Sequence, residues 1–401
     1  MKILMLADVF FPDTIGGAGR VVYHLSRQLC SRGHEVHVLT RNPGGKLPHR
    51  EHRELNFSIH RFDLPEKEGL RFLQSEIKNA YREAGIANHG VDFDLICAHQ
   101  SLVAAGPLLS KSLRKIPFVY CFYSPWHEEY VIKKRNMKGK TQWSGKIVAF
   151  FMRKMEKRVL SKAMKIFVLS HFSLMQISTI HQVSKERVVL IPGGIDLTSF
   201  ALPEGGKDAV KRILGIPYDK TLLFTVRNLV PRMGIENLME AFNQSNVLRE
   251  KALLLIGGEG SLKEHLKATA EKRGLEDSVK FLGRISEDDL PRYYQASDFF
   301  VLPTRELEGF GLVILEAMAC GTPVLGTPIG AIPETVGSFA KNLLFEGTDH
   351  ENIRGKLEDV INYPDRYRFD PQICRKFVEE RYSWVKMAEA FEREVRGLLE
   401  A

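Results

Sequence analysis

Short apolar runs alternate with amphipathic stretches along almost the whole chain. Lys2–Ala7, Glu35–Leu39, Leu95–Ala98, Phe118–Phe122, Ile166–Leu169 and Val188–Ile191 read as buried strands. Segments such as Gly19–Ser31, closed by Gly33, read as the helices between them. The alternation stops at Ile191-Pro192-Gly193-Gly194 and resumes with Leu222–Val226, Ala252–Ile256, Val279–Phe281, Phe299–Leu302 and Val324–Leu325. Continuous apolar strands separated by helices predict parallel sheets covered on both faces. The fold expected is α/β, with two Rossmann-like, doubly wound parallel-sheet domains. The boundaries fall at 1–191 for the first, 192–206 for a hinge and 207–382 for the second, followed by an amphipathic helix within 383–401. Two such domains leave a cleft at the carboxyl ends of their strands, where ligands bind.

Composition narrows the class. The 401 residues are 44% hydrophobic and 26% charged, as in a globular protein. No apolar run reaches the length of a membrane span, and Met1–Phe10 lacks the small-residue cleavage site of a signal peptide, so it reads as a strand. Cys30, Cys97, Cys121, Cys320 and Cys374 are scattered, without a C-x-x-C pair. That predicts reduced thiols in a cytoplasmic protein, with neither a disulfide framework nor a metal cluster. The net charge is +8, yet residues 131–165 alone hold twelve Lys or Arg against Glu156, a local +11. Such a segment suits an anionic partner. Apolar residues from Ile147 to Met152 lie beside its basic ones, as in an interfacial helix. A helix burying that apolar side in its own domain gives the same pattern. No nucleic-acid-binding module accompanies the charge.

The densest chemistry lies in Glu308-Gly309-Phe310-Gly311-Leu312-Val313-Ile314-Leu315-Glu316, continuing to Val324. Glu308 precedes a helix in a Gly-rich turn. Glu316 is the only charge in the helix from Leu312 to Cys320. A lone carboxylate on an apolar helix is costly unless something pairs with it or binds it. The glycines allow close approach of backbone N–H groups, and a helix N-terminus favours an anion. The segment therefore reads as a phosphate cradle with an acid on each side, which suits a sugar–diphosphate–nucleoside.

The string EGFGLVILEAMACGTPV resembles the E-x7-E signature of retaining glycosyltransferases of family 4, which have the two-Rossmann, or GT-B, architecture. The resemblance implies that Glu308 faces the donor sugar, Glu316 holds the ribose, and the backbone of Gly309, Phe310, Gly311 and Leu312 holds the diphosphate. It implies a terminal helix that packs back on the first domain, and no metal. Near Val226–Gly234 the family usually carries an Arg before the Leu and a Lys before the Gly; here those positions are Asn228 and Met233. The neighbouring Arg232, and after it Arg227, are the candidates to meet the leaving diphosphate. Gly16-Gly17 after the first strand matches a Gly-Gly turn that contacts the donor phosphate or approaches the acceptor, and Gly258 after a later strand matches a glycine turn near the donor. Gly16 equally suits a tight turn needing positive φ. Gly283-Arg284-Ile285 is the stretch expected near the base.

Three residues are candidates near the reaction centre. Tyr123 falls where many family members have a His; His127 is four residues on and reads as a proton shuttle or an acceptor contact, or else as an exposed loop residue. His99 is a further candidate. Asp92-Phe93-Asp94 matches a metal–diphosphate pattern but precedes a buried strand and reads as a solvated turn. The implied activity is transfer of a hexose from a nucleotide sugar such as a UDP- or GDP-hexose, used as substrate with no cofactor. The acceptor is a glycan, a lipid-linked molecule or a small molecule, of cell-envelope or exopolysaccharide type. An anionic membrane surface is a further partner through 131–165, and nucleic acid is not. An epimerase or hydrolase on the same fold, and a catalytically weak nucleotide-sugar-binding protein, remain alternatives.

Overall fold

A computed structural model describes residues 1–14, 16–53, 56–65, 70–135 and 140–400, with only the backbone for 70 and 140–144. Two units are present: Met1–Gly194 with Trp384–Ala401, and Ile195–Ser383. Residues 195–206, expected to form a linker, are part of the second unit. There Ile195 pairs with Ser383, and Arg375 donates to the carbonyls of Leu197 and Phe200.

The first unit is built on an eight-stranded sheet. Its strands are β1 (Lys2–Leu6), β2 (Glu35–Arg41), β3 (Arg50–Arg53), β4 (Phe57–Phe62), β5 (Leu95–Ala98), β6 (Phe118–Phe122), β7 (Lys165–Val168) and β8 (Val188–Leu190). They run in the order β3-β4-β2-β1-β5-β6-β7-β8. All pairs are parallel except β3 with β4. β1 sits between β2 and β5, so strand order reverses there and a crevice opens at its carboxyl end. β3 and β4 do not appear as apolar runs because their interior is partly ionic. Arg61 on β4 is 1% exposed and donates to Asp13 at 2.6 Å, to Glu51 at 2.7 Å and to the Pro48 carbonyl at 3.0 Å. A buried guanidinium is tolerated only with such a full set of acceptors.

Four helices of this unit bear on its chemistry: α1 (Gly17–Ser31), α2 (Trp126–Lys134), α3 (Lys140–Lys162) and α4 (His171–His181). α3 buries Ala149, Met152, Val159 and Leu160. Its other side leaves Ile147, Phe150 and Phe151 at 46%, 53% and 62% exposure, with the Lys154 ammonium 4.6 Å from the Phe150 ring centre. One face of the helix therefore packs into its own domain, while the other leaves apolar side chains exposed beside basic ones. Lys138 of the basic segment lies outside the described residues.

The second unit has five parallel strands, β9 (Thr221–Val226), β10 (Ala252–Gly257), β11 (Val279–Gly283), β12 (Phe299–Leu302) and β13 (Val324–Gly326), ordered β11-β10-β9-β12-β13. β9 pairs with β10 on one side and β12 on the other, which makes the carboxyl ends of β9 and β12 the switch point. Two of its helices, α5 (Leu290–Ala296) and α6 (Leu312–Ala319), pack near that point. The last helix, α7 (Trp384–Leu399), belongs to the first unit. Its Trp384 ring stacks on His24 of α1 at 4.7 Å, and Glu392 accepts from Arg32 at 2.6 Å.

Candidate active site

The switch point of the second unit collects most of the expected residues. Arg227 follows β9 directly, and Thr304 and Glu308 lie on the loop after β12. Arg227 Nη2 is 2.5 Å from Glu308 Oε2, and its Nη1 donates to Thr304 Oγ1 at 2.9 Å. The Thr304 hydroxyl donates to the same Glu308 oxygen at 3.3 Å. The Arg227 and Glu308 side chains are only 5% and 12% exposed, so the pair works in a medium where charge is poorly screened. Arg227 Nη2 is also 3.0 Å from Met233 Sδ. The guanidinium thus lies beside the Met233 side chain, at the position where the resembled family has a lysine.

Arg232 is placed differently. Its Nη1 donates to the Leu307 carbonyl at 2.7 Å, and its backbone carbonyl accepts from Arg305. Leu307 has φ 52°, a left-handed conformation rare for a branched residue. Strain of this kind collects at sites that need a fixed backbone, and here it sets the residue before Glu308. Asn228 is exposed.

Past Glu308 the chain enters α6. Gly311 is its N-cap at φ 80°, with no side-chain cap and no acid in the first turn. The opening amides of α6 are therefore not screened by a capping carboxylate, and the helix end carries partial positive charge. Phe310 and Leu312 are buried beside it. Within α6, Glu316 is 4% exposed and accepts from the Tyr294 hydroxyl of α5 at 2.8 Å. Tyr294 is fully buried among Phe200, Phe224 and Phe300. Burial, and then the negative charge of Glu316, push the Cys320 thiol above its ordinary range. Tyr294 and Thr304 carry no motif, and only the three-dimensional arrangement reveals them.

Gly258 has φ 118°, and a Cβ there would lie 1.9 Å from the Arg227 carbonyl oxygen. Its amide donates to the Gly283 carbonyl at 2.7 Å. Gly258 therefore lets the loop after β10 press against the backbone that carries Arg227, and it ties that loop to the Gly283 stretch. Replacing Gly258 with Ala is expected to lower the unfolding free energy by about 1–3 kcal/mol. Denaturant unfolding checks this; an unchanged midpoint would contradict it.

The first unit's candidates separate into two groups. Gly16 and Gly17 open α1 at the end of the loop after β1. Gly16 has φ 164°, which is extended backbone, so the positive-φ reading does not hold. His99, 1% exposed, has Nδ1 2.5 Å from the Tyr123 hydroxyl. The carboxylate of Asp94 accepts from the Lys2 amide at 2.8 Å, and Asp92 is exposed, as a turn requires. His127 is not an exposed loop residue. It lies in the first turn of α2, 12% exposed, 3.6 Å from Glu156 Oε2. Burial pushes the Glu156 carboxyl up, but His127 and His181 outweigh burial and hold it below the usual range. The sequence offered no His or Cys motif with metal-binding spacing, yet packing brings such side chains together. The fold assembles Cys97, His99 and Cys121, and separately His127, Glu156 and His181.

Two doubly wound units, with two acids flanking a helix N-terminus at the switch point of the second, define the class as a GT-B protein of glycosyltransferase type. The chain matches the family model Glycosyltransferase Family 4 over residues 15–199 and the model Glycosyl transferases group 1 over residues 206–380. It belongs to glycosyltransferase family 4. It is 25% identical over 393 residues to an uncharacterized glycosyltransferase of Methanocaldococcus jannaschii, covering 97% of this chain and 96% of that one. It is 35% identical over 207 residues to a GDP-mannose-dependent monoacylated alpha-(1-6)-phosphatidylinositol monomannoside mannosyltransferase of Corynebacterium glutamicum, covering 50% of this chain and 53% of the relative. The D-inositol 3-phosphate glycosyltransferase of Mycolicibacterium smegmatis is 27% identical over 241 residues, covering 59% of this chain and 53% of that one. The match thus spans about half the length of these last two relatives. Among solved structures, sucrose-phosphate synthase from Thermosynechococcus elongatus shares the fold with a TM-score of 0.84 at 21% identity, covering 100% of this chain and 99% of that one. Anabaena HepE in complex with UDP-glucose does so with a TM-score of 0.74 at 18% identity, covering 99% and 100%.

Proposed function

We propose that the protein transfers a hexose from a nucleoside-diphosphate sugar to a hydroxyl of a lipid-linked acceptor, with the anomeric configuration retained. The observation that carries this reading is the pairing of Glu308 with Arg227 on one side of the α6 N-terminus and of Glu316 with Tyr294 on the other. In this reading Glu308 orients the sugar hydroxyls, and Glu316, fixed by Tyr294, accepts from the ribose. The diphosphate lies between them, against the opening amides of α6. As the bond from the sugar carbon to the diphosphate breaks, negative charge grows on the departing phosphate. The α6 amides and the Arg227 guanidinium stabilise that charge more than they stabilise the ground state. Neither acid need act as a nucleophile. No cofactor is required for this transfer.

Three observations favour a lipid-linked acceptor and a peripheral protein on an anionic, cytoplasmic membrane face. Phe150 and Phe151 are exposed on α3 among lysines and arginines, the composition that inserts at an anionic interface. The five cysteines are all unpaired and buried, as suits a reducing compartment. No helix among the described residues is long and apolar enough to cross a membrane. The Corynebacterium relative is named for a phosphatidylinositol mannoside acceptor.

The test is calorimetric titration with UDP, GDP and ADP, each alone and as a matching nucleotide sugar. One nucleotide is expected to bind at least about tenfold more tightly than the other two, a difference of about 1.4 kcal/mol. No binding by folded protein would overturn the reading.

A further inference from the structure

We propose that His127, Glu156 and His181 form a binding site for a divalent transition-metal ion of the zinc class. The three come from three helices, α2, α3 and α4, and their side chains converge. His181 Nε2 is 3.0 Å and His127 Nδ1 is 3.6 Å from the same carboxylate oxygen, Glu156 Oε2. All three ligand atoms lie within 4.8 Å of one another. A tetrahedral ion bound at about 2.0–2.2 Å by nitrogen and oxygen sets its ligands about 3.3–3.5 Å apart. The two observed separations bracket that value.

The orientation of these groups points to a shared ligand rather than to a closed hydrogen-bond network. Glu156 and His181 are 1% and 2% exposed. Yet His127 Nδ1, His181 Nε2 and Glu156 Oε2 are all buried without a hydrogen bond. His181 Nε2 is close to Glu156 Oε2 but out of line for donation, and His127 Nδ1 stands just beyond hydrogen-bond distance. Buried polar atoms rarely remain so without a reason. The other oxygen, Glu156 Oε1, accepts from the Trp126 amide at 3.3 Å, which fixes the carboxylate with Oε2 toward the imidazoles. Outer contacts of this kind commonly orient metal ligands.

Two imidazoles and one carboxylate suit zinc and its neighbours, and magnesium and calcium prefer all-oxygen sets. His127 is the partly accessible member, so a water completes the coordination from that side. The Cys97, His99 and Cys121 cluster is the weaker candidate. There Cys97 Sγ is 3.7 Å from Cys121 Sγ, and His99 already engages Tyr123, so its polar atoms satisfy one another. An ion at the His–Glu–His site would clasp α2, which follows the turn after β6, to α3 and α4. Its role is to hold that turn.

Untagged full-length protein, stripped with a chelator, is to be loaded with Zn²⁺ or Co²⁺ and freed of excess metal. About one ion per chain is expected, because the three ligands form one site. The cobalt form is expected to show a tetrahedral visible spectrum with no thiolate charge-transfer band. The melting temperature should rise with metal concentration. His127→Asn sits at the accessible edge and should leave the fold intact. It should weaken the affinity by more than about 100-fold, since even outer-shell losses reach that scale. His181→Asn should do the same. The absence of stoichiometric metal, full affinity in His127→Asn, or a thiolate band placing cobalt at Cys97 and Cys121 would each overturn the proposal.

Discussion

Glu308→Gln is expected to lower sugar transfer by at least about 100-fold, the scale set by losing a group that positions a reacting centre. Nucleotide affinity should change by less than about threefold, because in the proposed reading the nucleotide is held by Glu316 and the α6 amides rather than by Glu308. The physical basis is local. Glu308 is held by Arg227 and Thr304 on a loop whose preceding residue, Leu307, is locked in a left-handed conformation. The amide of Gln keeps the shape but not the charge, and it turns one acceptor into a donor. In the proposed reading the sugar hydroxyls then lose an anionic acceptor, while the α6 amides proposed to hold the diphosphate are untouched. Steady-state transfer and nucleotide calorimetry on the same preparation check both halves. Unchanged turnover would remove Glu308 from the reaction centre.

Arg227→Ala is expected to produce the second large loss, about 10²–10³-fold in transfer, as when a preorganised donor to developing negative charge is removed. Arg227→Lys should recover little of it. A lysine cannot engage Thr304 and Glu308 with two nitrogens in one plane. Arg232→Ala should cost no more than about tenfold, since the nitrogen seen in contact serves the Leu307 carbonyl and so acts on loop shape. This reverses the order in which the sequence placed the two arginines. Comparison of kcat/KM for the three variants decides it, and a larger loss for Arg232→Ala would put Arg232 first again.

That reversal illustrates what the chain disclosed and what it kept. The strands flanking the site were readable because β9, β10 and β12 are continuous apolar runs ending in a glycine or arginine turn. The two acids stood out as candidates because Glu308 lies in a Gly-rich turn before a helix and Glu316 is a lone charge on that apolar helix. The direction of an arginine was not, since Arg227 and Arg232 occupy one loop and only its path decides which guanidinium reaches Glu308. Tyr294 was equally hidden. A tyrosine in an ordinary amphipathic helix gives no sign that its hydroxyl meets a buried carboxylate from another helix. β3 and β4 escaped notice for a related reason, because an arginine that is 1% exposed looks in the sequence like a surface residue. The His127–Glu156–His181 group lies on three separate helices, with no metal-binding spacing, so it exists only after α2, α3 and α4 have packed.

The site in the second unit and the cluster in the first answer different questions. Variants of Glu308 or Arg227 report on donor chemistry and should leave metal content unchanged. His127→Asn reports on the clasp across α2, α3 and α4, and metal content is its primary readout.

A crystal structure with the nucleotide sugar that calorimetry selects would decide whether the two acids hold the donor. The diphosphate is expected against the opening amides of α6, with a sugar hydroxyl on Glu308 and the ribose hydroxyls on Glu316. A donor bound away from the β9 and β12 switch point, with neither acid in contact, would contradict that assignment.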